Sequence, residues 1–395
     1  MLIQPKIRGF ICTTAHPAGC QAHVQEQIDY VASQPAFRGP KRVLVIGSST
    51  GYGLASRITA TFGAGADTIG VCFERPAADN RTATAGWYNS AAFEQAARQA
   101  GRLARTVNGD AFSHAIKSHV INLVRKEFGQ ADLVVYSLAS PRRTHPDSGE
   151  TFVSAIKPVG QPYTNKTLNF HTGEVSDITV EPATQDEVDQ TVAVMGGDDW
   201  RRWIEALEEA DALAPDVLTV AYSYIGPAVT HPIYREGTIG RAKDDLEQTA
   251  LRLNERLKRS GGGAFVSVNK AVVTQSSSAI PIVPLYISLL YRVMKDKGLH
   301  EGCIEQMYRL FATRLYTEDP IAVDGNGRIR IDDWEMKADI QRSVAALWES
   351  AATGNVEQIS DLAGYRHEFL RLFGFDMPDV DYTEDVNADV ALGDM

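Results

Sequence analysis

The feature that most limits what this chain can fold into is the passage from Arg42-Val43-Leu44-Val45-Ile46 straight into Gly47-Ser48-Ser49-Thr50-Gly51-Tyr52-Gly53. An unbroken apolar run of that length reads as a strand buried on both faces, as in a parallel sheet. A helical pattern over 51–62 begins inside the glycine turn. Strand, glycine turn and helix in direct succession bring free helix N–H groups to one point, and such a point attracts a pyrophosphate. The spacing is G-x3-G-x-G, not G-x-G-x-x-G, so the flanking strand and helix carry the inference of a dinucleotide site.

The same alternation continues downstream. Strands are predicted at 67–73, 103–107 and 132–137, with helices at 86–97 and 111–128 between them. This order implies right-handed βαβ crossovers and an α/β fold with a doubly wound parallel sheet. Residues 142 to about 182 break the rhythm. Short β runs at 152–156, 166–170 and 178–180 read as a β-hairpin insertion, followed by helices near 186–194 and 199–209. The core resumes with a strand at 217–223, a helix at 238–260 and a strand at 264–269. Helices dominate 284–312 and 332–373. An N-terminal extension precedes the core, with a short strand at 7–13 and a helix from about 18 to 32. The acidic tail from Asp376 is expected to fray. The expectation is a single domain over 1–395. Its Rossmann core covers about 41–140 and 215–320, its insertion about 142–200, and its C-terminal helical part about 320–375.

Composition narrows the function. The 395 residues are 44% hydrophobic and 23% charged, which excludes gross disorder. A net charge of -11 argues against non-specific nucleic-acid binding. Cys12, Cys20, Cys72 and Cys303 form no CxxC pair and have no histidines at zinc-ligand spacing, so reduced thiols and no metal are expected. The start of the chain lacks a signal-like apolar stretch. The most apolar segment, 280–293, is interrupted by proline and too short to span a bilayer. A soluble cytoplasmic enzyme with no membrane partner is the expectation.

Glu74 closes the second strand. A carboxylate there accepts hydrogen bonds from the adenosine ribose hydroxyls and repels a 2′-phosphate, favouring NADH over NADPH. Arg75, next in the chain, works against that bias, and a plain surface carboxylate also fits the position. Asp110, after the third strand, can hold the adenine amino group, and the small residues of Ser137-Leu138-Ala139-Ser140 leave room for a cofactor backbone. Candidate catalytic groups follow the next core strand: Tyr222, Tyr224, Tyr234 and Lys243. In one continuous helix, Tyr234 and Lys243 would be separated by about 900° of turn and face opposite ways. They converge only if the tyrosine precedes the helix. Pro232 upstream and a helix start at Gly237-Thr238, with Thr238 as N-cap, support that arrangement and place Lys243 in the second turn. The lysine charge would lower the phenol pKa and could hold the nicotinamide ribose. Spacing alone fits a surface tyrosine and a solvated lysine as well.

At these residues the chain resembles the FabV-class trans-2-enoyl thioester reductases, relatives of the short-chain dehydrogenase/reductase superfamily. The resemblance runs over essentially the whole chain. Its specific mark is Tyr-x8-Lys, met at Tyr234 and Lys243; ordinary short-chain dehydrogenases have three intervening residues and other enoyl reductases six. The glycine turn and Glu74 also fit. The resemblance implies that Tyr234 is the proton donor, that Lys243 binds NADH through the nicotinamide ribose, and that Tyr224 contacts substrate near the thioester carbonyl. It implies a cofactor site lined by Gly47, Ser48, Ser49, Thr50, Gly51, Tyr52, Phe73, Glu74, Asp110, Ala111, Leu138, Ala139, Val272, Val273 and Thr274. The implied reaction is NADH-dependent reduction of the trans-2 double bond of enoyl-acyl carrier protein or enoyl-CoA, the last reductive step of fatty acid elongation. The implied enzyme is a monomer.

Several readings stay open. A carbonyl reductase would use the same site, and a non-catalytic NADH sensor would need the glycine turn without Tyr234. Residues 274–280 and 281–294 read either as a lid over an acyl chain or as an ordinary core helix. Arg142, Arg143, Lys157 and Lys166 are candidates for a basic patch that receives an acidic carrier protein. The stretch from Asp324 to Glu335 imitates a calcium loop but has Arg328 at position five and Ile329 at position six, so a turn, a short strand and a helix start are preferred. His114 and His119 are five apart and do not share a helix face, so they read as ordinary helix residues.

Overall fold

Arg42–Ile46 (β1) is buried from Val43 onwards because it runs through the middle of the main sheet. The computed structural model describes residues 1–79 and 81–393. Among these, Asp67–Cys72 (β2), Ala104–Asn108 (β3), Ala131–Tyr136 (β4), Leu213–Ser223 (β5), Gly263–Val268 (β6) and Arg328–Arg330 (β7) complete a seven-stranded sheet. The order is β7-β6-β5-β4-β1-β2-β3, with every neighbouring pair parallel. The chain reverses its direction of travel between β1 and β4. Open α/β sheets bind ligands at the carboxyl ends of the strands beside such a reversal.

The principal helices are Pro17–Ser33 (α1), Gly51–Ile58 (α2), Ala85–Gln99 (α3), His114–Glu127 (α4), Gln185–Met195 (α5), Asp198–Glu209 (α6), Thr238–Leu257 (α7), Val283–Asp296 (α8), Cys303–Leu310 (α9), Ala338–Ser350 (α10) and Leu362–Arg371 (α11). The pleat of β1 sends alternate residues to opposite faces. Leu44 and Ile46 join a core with α4, α6 and α7, while Val43 and Val45 join one with α1, α2 and α9. A third core gathers around α8, which is buried nearly all round by α10, α11 and the insertion residues Leu168 and Phe170. No helix of the described residues is long and apolar enough to cross a membrane.

The insertion holds two antiparallel hairpins, Arg142–Thr144 with Thr151–Val153 and Tyr163–Asn169 with Glu174–Val180. The strand Arg142–Thr144 was not anticipated, because two arginines carry no strand signal of their own. The expected strand at 7–13 is instead a small hairpin, Ile7–Arg8 with Ile11–Cys12, turned at Gly9 with φ 57°. Helix α4 starts three residues later than the pattern suggested, where the Ser113 hydroxyl caps Ile116 N–H. The expected helical stretch 332–373 divides into α10, a single turn at Val356–Ile359 and α11. The tail does not fray. Its carbonyls at Ala388 and Val390 accept hydrogen bonds from the Tyr88 hydroxyl and the Trp87 indole, both at 2.7 Å, and Ala388 and Leu392 are buried. The apolar residues spaced among its acids supply that anchor.

Candidate active site

The glycine turn is closed against the end of β4. Gly47 has φ 86°, and a Cβ there would lie 2.3 Å from the Ser137 carbonyl oxygen; a Cβ on Gly53 would lie 1.8 Å from the oxygen of Gly47. Only glycine permits that approach. Thr50 occupies the N-cap of α2 without a side-chain capping bond, so the first-turn N–H groups are not covered by it. The Ser48 amide and hydroxyl both bond to the Val71 oxygen, and the Tyr52 hydroxyl is held by the Lys270 oxygen at 2.6 Å and Gln306 at 3.1 Å. Both side chains, and the Ser48 N–H as well, are therefore occupied by the protein.

The other expected cofactor residues line the carboxyl ends of the strands. Ser49 Oγ donates to Glu74 Oε1 at 2.6 Å, fixing the carboxylate. Phe73 beside it is 77% exposed, a ring free to stack on a planar ligand. The Asn108 side chain grips the Glu74 backbone on both sides, accepting from N–H at 2.7 Å and donating to the carbonyl at 2.9 Å. Asp110 Oδ1 accepts from Phe112 N–H at 2.9 Å, and Lys117 holds the Ala111 carbonyl at 2.8 Å. Leu138 is half-buried and Ala139 exposed after β4. After β6, Val272 and Val273 are buried, Val273 N–H donates to the Tyr291 hydroxyl at 3.0 Å, and Thr274 caps the short turn Gln275–Ser278. Ser223 Oγ and Asn269 Nδ2, at the ends of β5 and β6, are buried without a protein partner. Unpaired buried polar atoms beside a glycine cradle fit a bound dinucleotide.

Tyr234 sits in turns ahead of α7, its N–H bonded to the Thr230 oxygen at 2.9 Å, and Lys243 lies in the helix's second turn. The spacing is met as the sequence required, with one correction. Gly237, not Thr238, is the N-cap; the Thr238 hydroxyl is drawn instead to the insertion, donating to the Ala155 oxygen at 2.5 Å and accepting from Lys157 N–H at 3.3 Å. Tyr224 and Tyr234 meet edge to face, with ring centroids 5.0 Å apart at 78°. The Tyr234 hydroxyl has no hydrogen-bond partner among the described residues, and burial pushes its pKa above the usual phenol value. Lys243 Nζ donates to the Tyr222 carbonyl at 3.1 Å. Burial lowers its pKa to about 8 against the opposing charge of Glu247. Lys243 and Tyr234 do not hydrogen-bond to each other; they converge on the end of β5. The Tyr222 hydroxyl, a further candidate, is paired with Ser56 at 2.5 Å.

Two residues that organise the site had no signal in the sequence. One is Asn108. The other is Glu335, fully buried, whose Oε1 accepts from Tyr224 at 3.1 Å and from Tyr286 at 2.6 Å, and whose Oε2 accepts from Ala271 N–H at 2.8 Å. It is the twelfth residue of the calcium-like stretch. The other carboxylates of that stretch pair with arginines: Asp324 with Arg328 and Arg330, Asp332 with Arg330. Of the candidate basic patch, Arg142 is exposed, while the other three cations are engaged. Lys157 pairs with Glu187, Arg143 is buried against Asp198, and Lys166 bonds to the carbonyls of Trp348 and Glu349. His114 pairs with Asp147 at 2.6 Å.

Comparison with known proteins places this geometry. Residues 81–316 match the model of the trans-2-enoyl-CoA reductase catalytic region, and residues 2–79 match the NAD(P)H binding domain of trans-2-enoyl-CoA reductase. The chain belongs to the trans-2-enoyl-CoA reductase family. Relatives include a trans-2-enoyl-CoA reductase [NADH] of Ruminiclostridium cellulolyticum, 59% identical over 99% of both chains, and an enoyl-[acyl-carrier-protein] reductase [NADH] of Flavobacterium johnsoniae, 58% identical over 98% of both. The Clostridium acetobutulicum trans-2-enoyl-CoA reductase in complex with NADH superposes with a TM-score of 0.97 at 44% identity, covering 100% of this chain and 99% of that one. The Treponema denticola enzyme in complex with NAD gives 0.94 at 50% identity, covering 98% of each.

Residues 323–386 match a model described as the enoyl reductase FAD binding domain. In this chain that stretch supplies only the three-residue β7 to the sheet, and its helices bury their apolar faces against α8. It has no strand–glycine turn–helix unit of its own, and so does not fit a flavin dinucleotide in the way that the turn after β1 fits NADH.

Proposed function

We propose that this enoyl reductase uses NADH to reduce the trans-2 double bond of enoyl thioesters, with Tyr234 as proton donor, Lys243 holding the nicotinamide ribose and Tyr224 contacting the thioester carbonyl. The observation that carries the reading is the meeting of Tyr224, Tyr234 and Lys243 at the end of β5, beside the glycine cradle. Bound NADH supplies the hydride to the β-carbon. As the double bond is reduced, negative charge builds on the thioester oxygen. The two tyrosine hydroxyls stabilise that charge where it develops. Burial keeps Tyr234 protonated at neutral pH, so it has a proton to give, and the absence of a competing partner leaves its hydroxyl free to turn to substrate. Lys243 has donors left after its single bond to Tyr222 and can place two on a ribose.

The cofactor residues named from the sequence serve as lining, Tyr52 through its backbone N–H at the start of α2. The acyl carrier is coenzyme A or acyl carrier protein, and the reaction closes a round of fatty acid elongation in the cytoplasm. The whole chain works as a monomeric single domain: residues matched to the separate cofactor and catalytic models contribute adjacent strands to one sheet. NADH oxidation followed by absorbance is expected with crotonyl-CoA and not with simple ketones. Turnover of ketones without turnover of enoyl groups on either carrier would make the enzyme a carbonyl reductase instead.

A further inference from the structure

Three parts of the site end on one carboxylate. Glu335 Oε1 accepts from Tyr224, just beyond β5, and from Tyr286 on α8; its Oε2 accepts from the N–H of Ala271, at the head of the cofactor-lining stretch Val272-Val273-Thr274. Gln341 backs this arrangement, donating to the Tyr286 hydroxyl at 3.1 Å and to the Glu335 carbonyl at 2.8 Å. With Gln341 donating to its oxygen, Tyr286 directs its single hydroxyl hydrogen at Glu335. The groups facing the carboxylate are thus two phenols and an amide, with the Lys270 ammonium and Asp332 acting through space. Lys270 is itself buried and bonded to the Ala271 carbonyl at 2.8 Å.

A buried carboxylate held in this way is costly to desolvate, and an apolar replacement would often be at least as stable. Its geometry, though, does what an apolar group cannot. The two phenols are bound unequally. The 2.6 Å bond fixes Tyr286 and through it α8, while the 3.1 Å bond to Tyr224 is long enough to be exchanged. A substrate oxygen gaining negative charge competes for that hydrogen.

We propose that Glu335 is a positioning residue: it holds the Tyr224 hydroxyl in register with the cofactor-lining loop through Ala271 and releases its hydrogen to the thioester oxygen as charge develops there. The inference rests on the reading of Tyr224 as a substrate contact. Misplacing a reacting group by about 1 Å is enough to cost on the order of 100-fold in rate, so loss of this register shows in kcat.

The test is a double-mutant cycle on crotonyl-CoA reduction with wild type, Glu335→Gln, Tyr224→Phe and the double variant, with melting temperature and NADH affinity measured on each. Glutamine cannot accept from both phenols and the Ala271 amide at once. Glu335→Gln is expected to lower kcat about 10- to 100-fold in the wild-type background and to add little once Tyr224 is phenylalanine. Should Glu335→Gln not fold, Tyr286→Phe replaces it in the same cycle, with a smaller loss that again vanishes in the Tyr224→Phe background. Equal fold losses in the two backgrounds would overturn the proposal, since a merely structural Glu335 acts whether or not the phenol is present. A Tyr224→Phe enzyme with the kcat of wild type would overturn the Tyr224 assignment and this inference with it, while leaving enoyl reduction by the wild type intact.

Discussion

In the proposed reading, the choice between NADH and NADPH turns on the carboxylate of Glu74. Glu74 is oriented by Ser49 and anchored through its backbone by Asn108, so its carboxylate is held in a fixed pose. Hydrogen bonds to a charged group contribute about 1.5–3 kcal/mol. Glu74→Ala is therefore expected to raise KM for NADH about tenfold or more, by that same energy, and to narrow the preference over NADPH, because a 2′-phosphate no longer meets a negative charge. Parallel KM measurements with the two cofactors check it; an unchanged preference would remove Glu74 from the ribose site. Glu74 could be singled out from the sequence because it closes a strand. Asn108 could not, since its bonds run to a neighbouring strand and exist only once β2 and β3 have paired. Glu335 was hidden by distance: 111 residues separate it from Tyr224. Its local pattern pointed to a calcium loop and says nothing of the tyrosines it meets.

At the scale of elements, α7 performs what its sequence spacing demanded. Tyr234 precedes it and Lys243 rides in its second turn, so a nine-residue separation that would oppose the two in a continuous helix brings both to the end of β5. Burial of Lys243 has a consequence for pH. Its pKa is lowered to about 8, so the ammonium proposed to hold the ribose is present below that value and is lost as pH rises through it. Tyr234, shifted the other way by burial, stays protonated over the same range. The profile of kcat/KM for NADH, which reports groups of the free enzyme, is expected to be level towards neutral pH and to fall above about pH 8. In Lys243→Arg, whose side chain stays charged, that falling limb should disappear; a limb that persists would belong to another group. The elements that the sequence misread or missed are short. Ile7–Arg8 and Ile11–Cys12 needed the positive φ of Gly9 to be seen as a hairpin, and Arg142–Thr144 is a strand only because Thr151–Val153 pairs with it.

The doubly wound order of the whole molecule was readable from the alternation of strand and helix, because buried parallel strands leave long apolar runs. Its closure was readable only in part: a short strand was expected in the stretch from Asp324, but not its pairing with β6. That strand, Arg328–Arg330, is only three residues long, and the acidic tail returns to pin α3 through Trp87 and Tyr88. The insertion is likewise tied to the cofactor side by a buried cluster. Lys117 holds the carbonyls of Ala111 and Phe112 while pairing with Asp199 of α6 at 2.7 Å, and Tyr136 donates to the same carboxylate. Residues far apart in sequence thus fix one crevice, and the chemistry proposed for it rests on Tyr234. The most direct measurement is steady-state NADH oxidation with crotonyl-CoA by wild type and Tyr234→Phe, with NADH affinity determined for both. The expected result is turnover by the wild type and a kcat about 10²- to 10⁴-fold lower in the variant, with NADH bound equally well. A variant that keeps the wild-type kcat would contradict the assignment of Tyr234 as proton donor.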